Sequence, residues 1–245
     1  MKRQYLGDAK DSFKWDYHDF LTTALACRRL DVVCMLTPDD GSGHGQTDPD
    51  RFPGRAEVIG FCADLRRLRS IEAAADLPRI TGAEYRLHLH GADRYFDGRD
   101  RSAYFRAVAR RQVRQVILID ADNGFEPTRS CTVKHVAYDD VRGLLDAVHP
   151  ETVISVFQHH RRRRFPEDFA QIRDRLGPVP AAAVYWQMLM FVAVSRSTHA
   201  IAAVAKANTD YARMRPVRTL GRPAFADTSP RPPSSPRPHS AADAV

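Results

Sequence analysis

Lysine, paired cysteine and long apolar runs are what this chain of 245 residues has least of. Of its 37 basic residues 32 are arginine, which leaves five lysines. The four cysteines, Cys27, Cys34, Cys62 and Cys131, include no C-x-x-C pair and no clustered His/Cys frame. That spacing supports neither a zinc ribbon nor a redox dithiol, and reduced, mostly buried thiols of a cytoplasmic protein are expected instead. The longest apolar run, Leu189 to Val194 with Met188 before it, is far short of the ~20 residues that span a bilayer. Charged residues stand where a signal peptide carries its apolar stretch. Secretion, membrane insertion and a membrane partner are therefore not expected.

With 43% apolar residues, a chain of this length can bury roughly 70% of its unfolded surface and needs no staple to hold a core. Its formal net charge is +7, of which residues 215–245 hold +3 (five Arg minus Asp227 and Asp243), leaving +4 for the rest. The body is only mildly basic, so charge alone does not establish a nucleic-acid partner. From Thr219 the composition changes: six prolines follow, with Leu220 and Phe225 the only large apolar side chains. Such a segment cannot repay the entropy of ordering. The expected folded domain is residues 1–218, with a Pro-rich, disordered tail over 219–245.

Apolar runs of strand length alternate with stretches of helical period. Strands are expected at Val32–Leu36, Tyr85–His90, Val116–Ile119 and Val153–Phe157, with one or two more across Ala183–Ser195. Helices are expected at Ala56–Leu68, Ser102–Arg111, Tyr138–Val148, Pro166–Leu176 and Ser197–Arg213, and from Asp11 onward near the start of the chain. Buried strands separated by helices indicate an α/β fold: a Rossmann-like, doubly wound, mostly parallel sheet with helices on both faces. Ligands of such sheets sit beyond the carboxyl ends of the strands, so chemistry is sought there.

Three strand ends carry polar clusters. Val32–Leu36 is followed by Asp39-x-Gly41-x-Gly43-x-Gly45, where glycines two apart let backbone approach a ligand closely. Val116–Ile119 is followed by Asp120-Ala121-Asp122-Asn123-Gly124. Acidic and amide groups at the end of a buried strand need a ligand or a backbone partner. Val153–Phe157 is followed by Gln158-His159-His160 and then Arg161, Arg162, Arg163 and Arg164. His159 suits a ligand or base as well as a structural hydrogen bond. The four arginines suit nucleic-acid phosphates, although a charge run is more often a solvated face.

The opening Y-L-G-D-x-x-D-x-x-K (Tyr5 to Lys14), the strand before the Gly-rich acidic loop and the strand before D-x-D-N-G together resemble a group of uncharacterised bacterial proteins. That group is itself similar to the large-subunit ribosomal-RNA adenine methyltransferases, which begin H-A-G-N-x-x-D-x-x-K and carry D-P-P-Y at the catalytic strand. The similarity spans about residues 1–165. It implies S-adenosylmethionine as cofactor, with Lys14, Asp39, Gly41, Gly43 and Gly45 near it, and Asp120, Asp122 and Asn123 at the catalytic edge. It also implies an amino group in nucleic acid as the target. Ala121, Asp122 and Asn123 stand where that pattern has Pro, Pro and Tyr, and Phe125 is displaced from the aromatic position.

A strand ending Asp-x-Asp also resembles haloacid-dehalogenase-like phosphatases, and I-D-A-D-N is similar to the first strand of NYN-type ribonucleases. Asp120 and Asp122 would then hold Mg²⁺ for hydrolysis. Both families, however, place that strand at the start of the domain. A third reading is a Rossmann-like binding protein without catalysis.

Overall fold

The computed structural model describes residues 1–42, 47–109 and 113–221. In chain order the elements are α1 (Ala9–Ala24), β1 (Arg29–Cys34), α2 (Ala56–Leu68), α3 (Leu77–Thr81), β2 (Arg86–His90), α4 (Arg101–Val108), β3 (Val116–Asp120), β4 (Gly124–Phe125), β5 (His135–Val136), α5 (Tyr138–Ala147), β6 (Val153–His159), α6 (Phe165–Leu176), β7 (Ala181–Trp186), β8 (Leu189–Val194), α7 (Thr198–Met214) and β9 (Arg218–Leu220).

Seven strands form one sheet in the order β2-β1-β3-β6-β8-β7-β9. β2, β1, β3 and β6 pair in parallel, β8 runs antiparallel between β6 and β7, and β9 is antiparallel to β7. β7 therefore shares the direction of β6, and the sheet is mostly parallel. Side chains alternate across it as period two requires. Leu30, Val32, Cys34, Val116 and Leu118 join α1, α2, α3 and α7 in one core. Val33, Ile117, Ile119, Ile154 and Val156 join α4, α5 and α6 in the other. The expected α/β, Rossmann-like frame with helices on both faces is what forms. No helix among the described residues is long and apolar enough to cross a membrane.

Local chemistry sets the helix ends. Asp8 caps α1 by accepting from the backbone N–H groups of Lys10 and Asp11, and Ser197 caps α7 by accepting from Ala200 N–H. Pro166 lies in the first turn of α6, where its missing N–H removes no helical bond. The helix expected over 56–68 forms with those bounds, and 183–195 resolves into two strands that turn at Gln187, φ +45.

Several elements differ from expectation. Met35 and Leu36 leave the first strand and turn back on it, their N–H groups donating to the carbonyls of Val33 and Cys34. The β4–β5 ribbon and the short α3 were not expected, because two to five residues carry too little periodicity. Thr219 and Leu220, assigned to the tail, pair with Val184 and Ala183, so the ordered domain runs past residue 218. Arg110 and Arg111, at the end of the helix expected over Ser102–Arg111, and residues 222–245 of the tail lie outside the described residues.

The carboxyl ends of β2, β1, β3 and β6 share one edge. The chain leaves β1 toward β2 on one side and resumes at β3 on the other. The crevice beyond β1 and β3 is thus the topological switch point where doubly wound sheets bind ligands.

Candidate functional site

A cavity of about 510 Å³ opens at this edge, within the roughly 300–1,000 Å³ of small-molecule sites. Its walls are Met1, Lys2, Tyr5 and Leu6, the N-terminal half of α1 with its cap Asp8, Asp40 and Thr47 flanking the Gly-rich loop, the segment Asp120 to Asn123, Lys134, Phe157 and His159.

α1 forms the base of the cavity. Lys14 is 2% exposed, and its Nζ lies 2.6 Å from Asp11 and 2.8 Å from Asp120 at the end of β3, with the Trp15 ring 4.7 Å away. Burial works against the ammonium charge, but the Asp11 and Asp120 carboxylates outweigh it and raise the Lys14 pKa. Asp11 also accepts from Gly7 N–H at 2.8 Å. Gly7, at φ +75, packs so closely on α2 that a Cβ there would meet Cys62 O at 2.0 Å. Asp8 is buried against Asp11, and desolvation followed by that neighbour's charge raises its pKa to about 7. One turn further on, His18 Nδ1 faces Lys14 O at 2.7 Å and its Nε2 faces Ser155 Oγ at 2.9 Å. A carbonyl only accepts, so Nδ1 carries the proton and the serine hydroxyl donates to Nε2. Burial drops the His18 pKa to about 4, and the side chain is neutral inside the core.

Beyond Asp120, the Asp122 carboxylate receives the Thr37 hydroxyl and the Met1 amino group. Asn123 faces the cavity edge and turns Nδ2 toward His135 Nε2 at 3.5 Å, while its backbone N–H bonds Lys134 O. Gly124 has φ +90, and a Cβ there would lie 2.4 Å from Gln158 Oε1 and 2.6 Å from Phe157 O. Glycine is needed both for the left-handed backbone and for the approach to β6. Phe125 turns away from the cavity. It is fully buried and stacks on Tyr138 at 4.9 Å.

The loop after β1 contributes differently from expectation. Asp39 is exposed and absent from the cavity wall, and its carboxylate accepts from Gln4 N–H at 3.1 Å. Asp40 is the wall residue, ion-paired with Lys2 and accepting from Gln4 Nε2 at 2.8 Å and Ser42 N–H at 3.1 Å. The Lys2 contact, ahead of the Ser42 contacts, lowers the Asp40 pKa. Gly41 lies at φ +67 with open space beside it. Gly43 and Gly45 fall outside the described residues.

His159 lines the cavity, with Nε2 3.2 Å from Lys10 Nζ and Nδ1 3.3 Å from His160 O. Burial, then the Lys10 charge, lowers its pKa. The arginine run does not line the cavity. Arg161 points inward, donating to Phe125 O and lying 3.7 Å from the buried Asp168. Arg163 bonds Gln171 and Arg164 bonds Glu167. Arg162 is exposed.

Lys14, Asp120, Asp122, Asn123 and His159 are thus brought together, and Asp39 and the arginines lie outside the group. Lys2, Lys10, Asp11, Asp40 and Lys134 are wall residues that strand-end reasoning passed over. The D-x-x-K spacing of Asp11 and Lys14, one helical turn apart, was the available signal.

The donor set does not suit Mg²⁺, which takes about six oxygens, several from carboxylates or substrate. Asp120 and Asp122 are each held by a cation, and among the described residues no group of three or more His, Cys, Asp or Glu side chains is placed to hold a metal ion. Five aspartates and four lysines line the cavity, and its volume admits a nucleoside-sized ligand. No protein-family model matches the chain, and no curated protein matches it in sequence.

Proposed function

We propose that this protein binds S-adenosylmethionine in the cavity above β1 and β3 and methylates an amino group. The observation that carries the reading is the Lys14–Asp120 ion pair. It joins two motifs 106 residues apart in the chain, the opening Y-L-G-D-x-x-D-x-x-K and the strand-end D-x-D-N-G, whose shared resemblance suggested methyl transfer. Both lie at the switch point where a doubly wound sheet receives its ligand.

When bound, the cofactor supplies an electrophilic methyl group. Asp40 and the Gly41 backbone flank its place on the β1 side. Lys14 fixes Asp120 through Oδ2, so the second carboxylate oxygen is free to accept a hydrogen from the target amine. The Asn123 amide oxygen, at the cavity edge, accepts another. These two acceptors direct the nitrogen lone pair at the methyl group, and the nitrogen releases its proton to solvent after transfer. No strong general base is required.

An amino group in nucleic acid is the target the resemblance suggests. With Phe125 stacked on Tyr138, this segment offers no aromatic platform for a base, and of the arginine run Arg162 is the member with no side-chain bond to another described residue. Phosphate contact by Arg162 to Arg164 predicts that Arg→Ala changes there weaken oligonucleotide binding and flatten its salt dependence. An unchanged slope leaves the run as a solvated face. Methyl transfer itself is tested by incubating the protein with labelled cofactor and amine-bearing acceptors: Asp120→Asn should lose at least tenfold in rate, and an unaltered rate removes Asp120 from the chemistry.

A further inference from the structure

Four of the five lysines in this arginine-dominated chain, Lys2, Lys10, Lys14 and Lys134, line the one cavity at the switch point. Two of them are answered by carboxylates: Lys2 by Asp40, and Lys14 by Asp11 and Asp120. Lys10 and Lys134 form no ion pair with any described residue. Lys10 also sits in the first turn of α1, where the helix dipole disfavours a cation, so helix stability does not explain its position.

The partner that Lys10 does have sharpens the point. Its Nζ lies 3.2 Å from His159 Nε2, while His159 Nδ1 faces the His160 carbonyl. That carbonyl can only accept, so Nδ1 carries the proton and the Nε2 lone pair accepts one hydrogen from the Lys10 ammonium. A neutral imidazole orients the ammonium without cancelling its charge, and two N–H donors remain. Lys134 adds a second unanswered ammonium at the exposed rim. We propose that Lys10, positioned by His159 and assisted by Lys134, binds an oxyanion carried by the substrate, a phosphate or a carboxylate.

The order of the sheet assigns this anion to the substrate. β3, with Asp120, lies between β1 and β6. The cofactor side is the β1 loop, and His159 ends β6 on the far side of Asp120. Naming the ligand as methyl acceptor rests on the proposed function. The anion site itself rests only on the cavity.

The full chain should be titrated calorimetrically with inorganic phosphate, sodium acetate and a short single-stranded oligonucleotide. Lys10→Gln keeps a donor for His159 Nε2 and removes the charge, and Lys206→Gln, at an exposed position of α7, controls for general loss of charge. Saturable binding of phosphate or acetate by the wild type, weakened tenfold or more by Lys10→Gln, several-fold by Lys134→Gln and not by Lys206→Gln, supports the site. Preference for phosphate or for acetate identifies the anion, and displacement of phosphate by the oligonucleotide identifies a phosphodiester source. No saturable binding of either small anion, or affinity within twofold of wild type in Lys10→Gln, overturns it. S-adenosylmethionine is titrated into the same variants. Cofactor binding without phosphate binding overturns the anion site and leaves methyl transfer standing, and phosphate binding without cofactor binding does the reverse. Equal loss of both ligands in Lys10→Gln assigns the anion to the cofactor and overturns the substrate assignment.

Discussion

Gly7 and Gly124 occupy the two motifs that meet at the cavity, and both are required by contact and by backbone together. At Gly124 a methyl group would enter the space of Gln158 Oε1 and Phe157 O, on backbone at φ +90. Strain and overpacking each cost about 1–3 kcal/mol, so Gly124→Ala should lower stability by about 3 kcal/mol in urea denaturation. Gly41→Ala, at φ +67 but in open space, should cost only about 1 kcal/mol. Equal effects would contradict the packing account of the Asp120–Gly124 turn. Lys14 is the other sensitive position. Lys14→Met leaves Asp11 and Asp120 buried beside each other without a cation, and should cost about 3–5 kcal/mol. A near-neutral result in the same assay would mean that the ion pair does not organise the cavity base.

At the scale of the element, α1 decides the site. The chain's opening was legible as a helix, and the D-x-x-K spacing was visible. That both faces of this helix would be buried was not. Sequence pattern shows which residues repeat with helical period, but the depth of Lys14 and His18 is set by β3, β6 and α7 closing over them, contacts more than 100 residues distant. The burial of α1 has pH consequences of opposite sign. His18 has a folded pKa of about 4, below its ordinary 6.5, so the unfolded chain binds more protons between those values and stability falls as pH drops through that window. The loss is on the order of 3 kcal/mol, and His18→Gln should remove it. Asp8 has a folded pKa of about 7, above its ordinary 3.8. There the folded chain binds more protons, and stability falls as pH rises from about 4 to 7. Asp8→Asn keeps the cap and should remove that decline, so the difference between wild type and variant across pH 4–7 isolates it. A difference that does not vary with pH would mean that Asp8 is ionised throughout.

Across the whole molecule, the doubly wound frame was legible because buried β-branched strands such as Val116–Ile119 alternate with helices whose caps and periods are explicit. The end of the domain was misread by a few residues, since composition marks Thr219 as tail while Ala183 and Val184 recruit its neighbourhood as β9. The site was half legible. Strand ends named Asp120, Asn123 and His159, but the wall built from Lys2, Lys10, Asp40 and Lys134 depends on how the first ten residues and two loops fold over the sheet edge. The arginine run was the least informative signal: Arg161 serves Phe125 and Asp168 inside the fold. The +7 charge matters less for its sum than for where its few lysines stand. Calorimetric titration of the full chain with S-adenosylmethionine, and separately with Mg²⁺, tests the central claim most directly. The account predicts one saturable site for S-adenosylmethionine that Asp120→Asn weakens, and no Asp120-dependent heat from Mg²⁺. Silence with S-adenosylmethionine, together with Mg²⁺ binding abolished by Asp120→Asn, would contradict it.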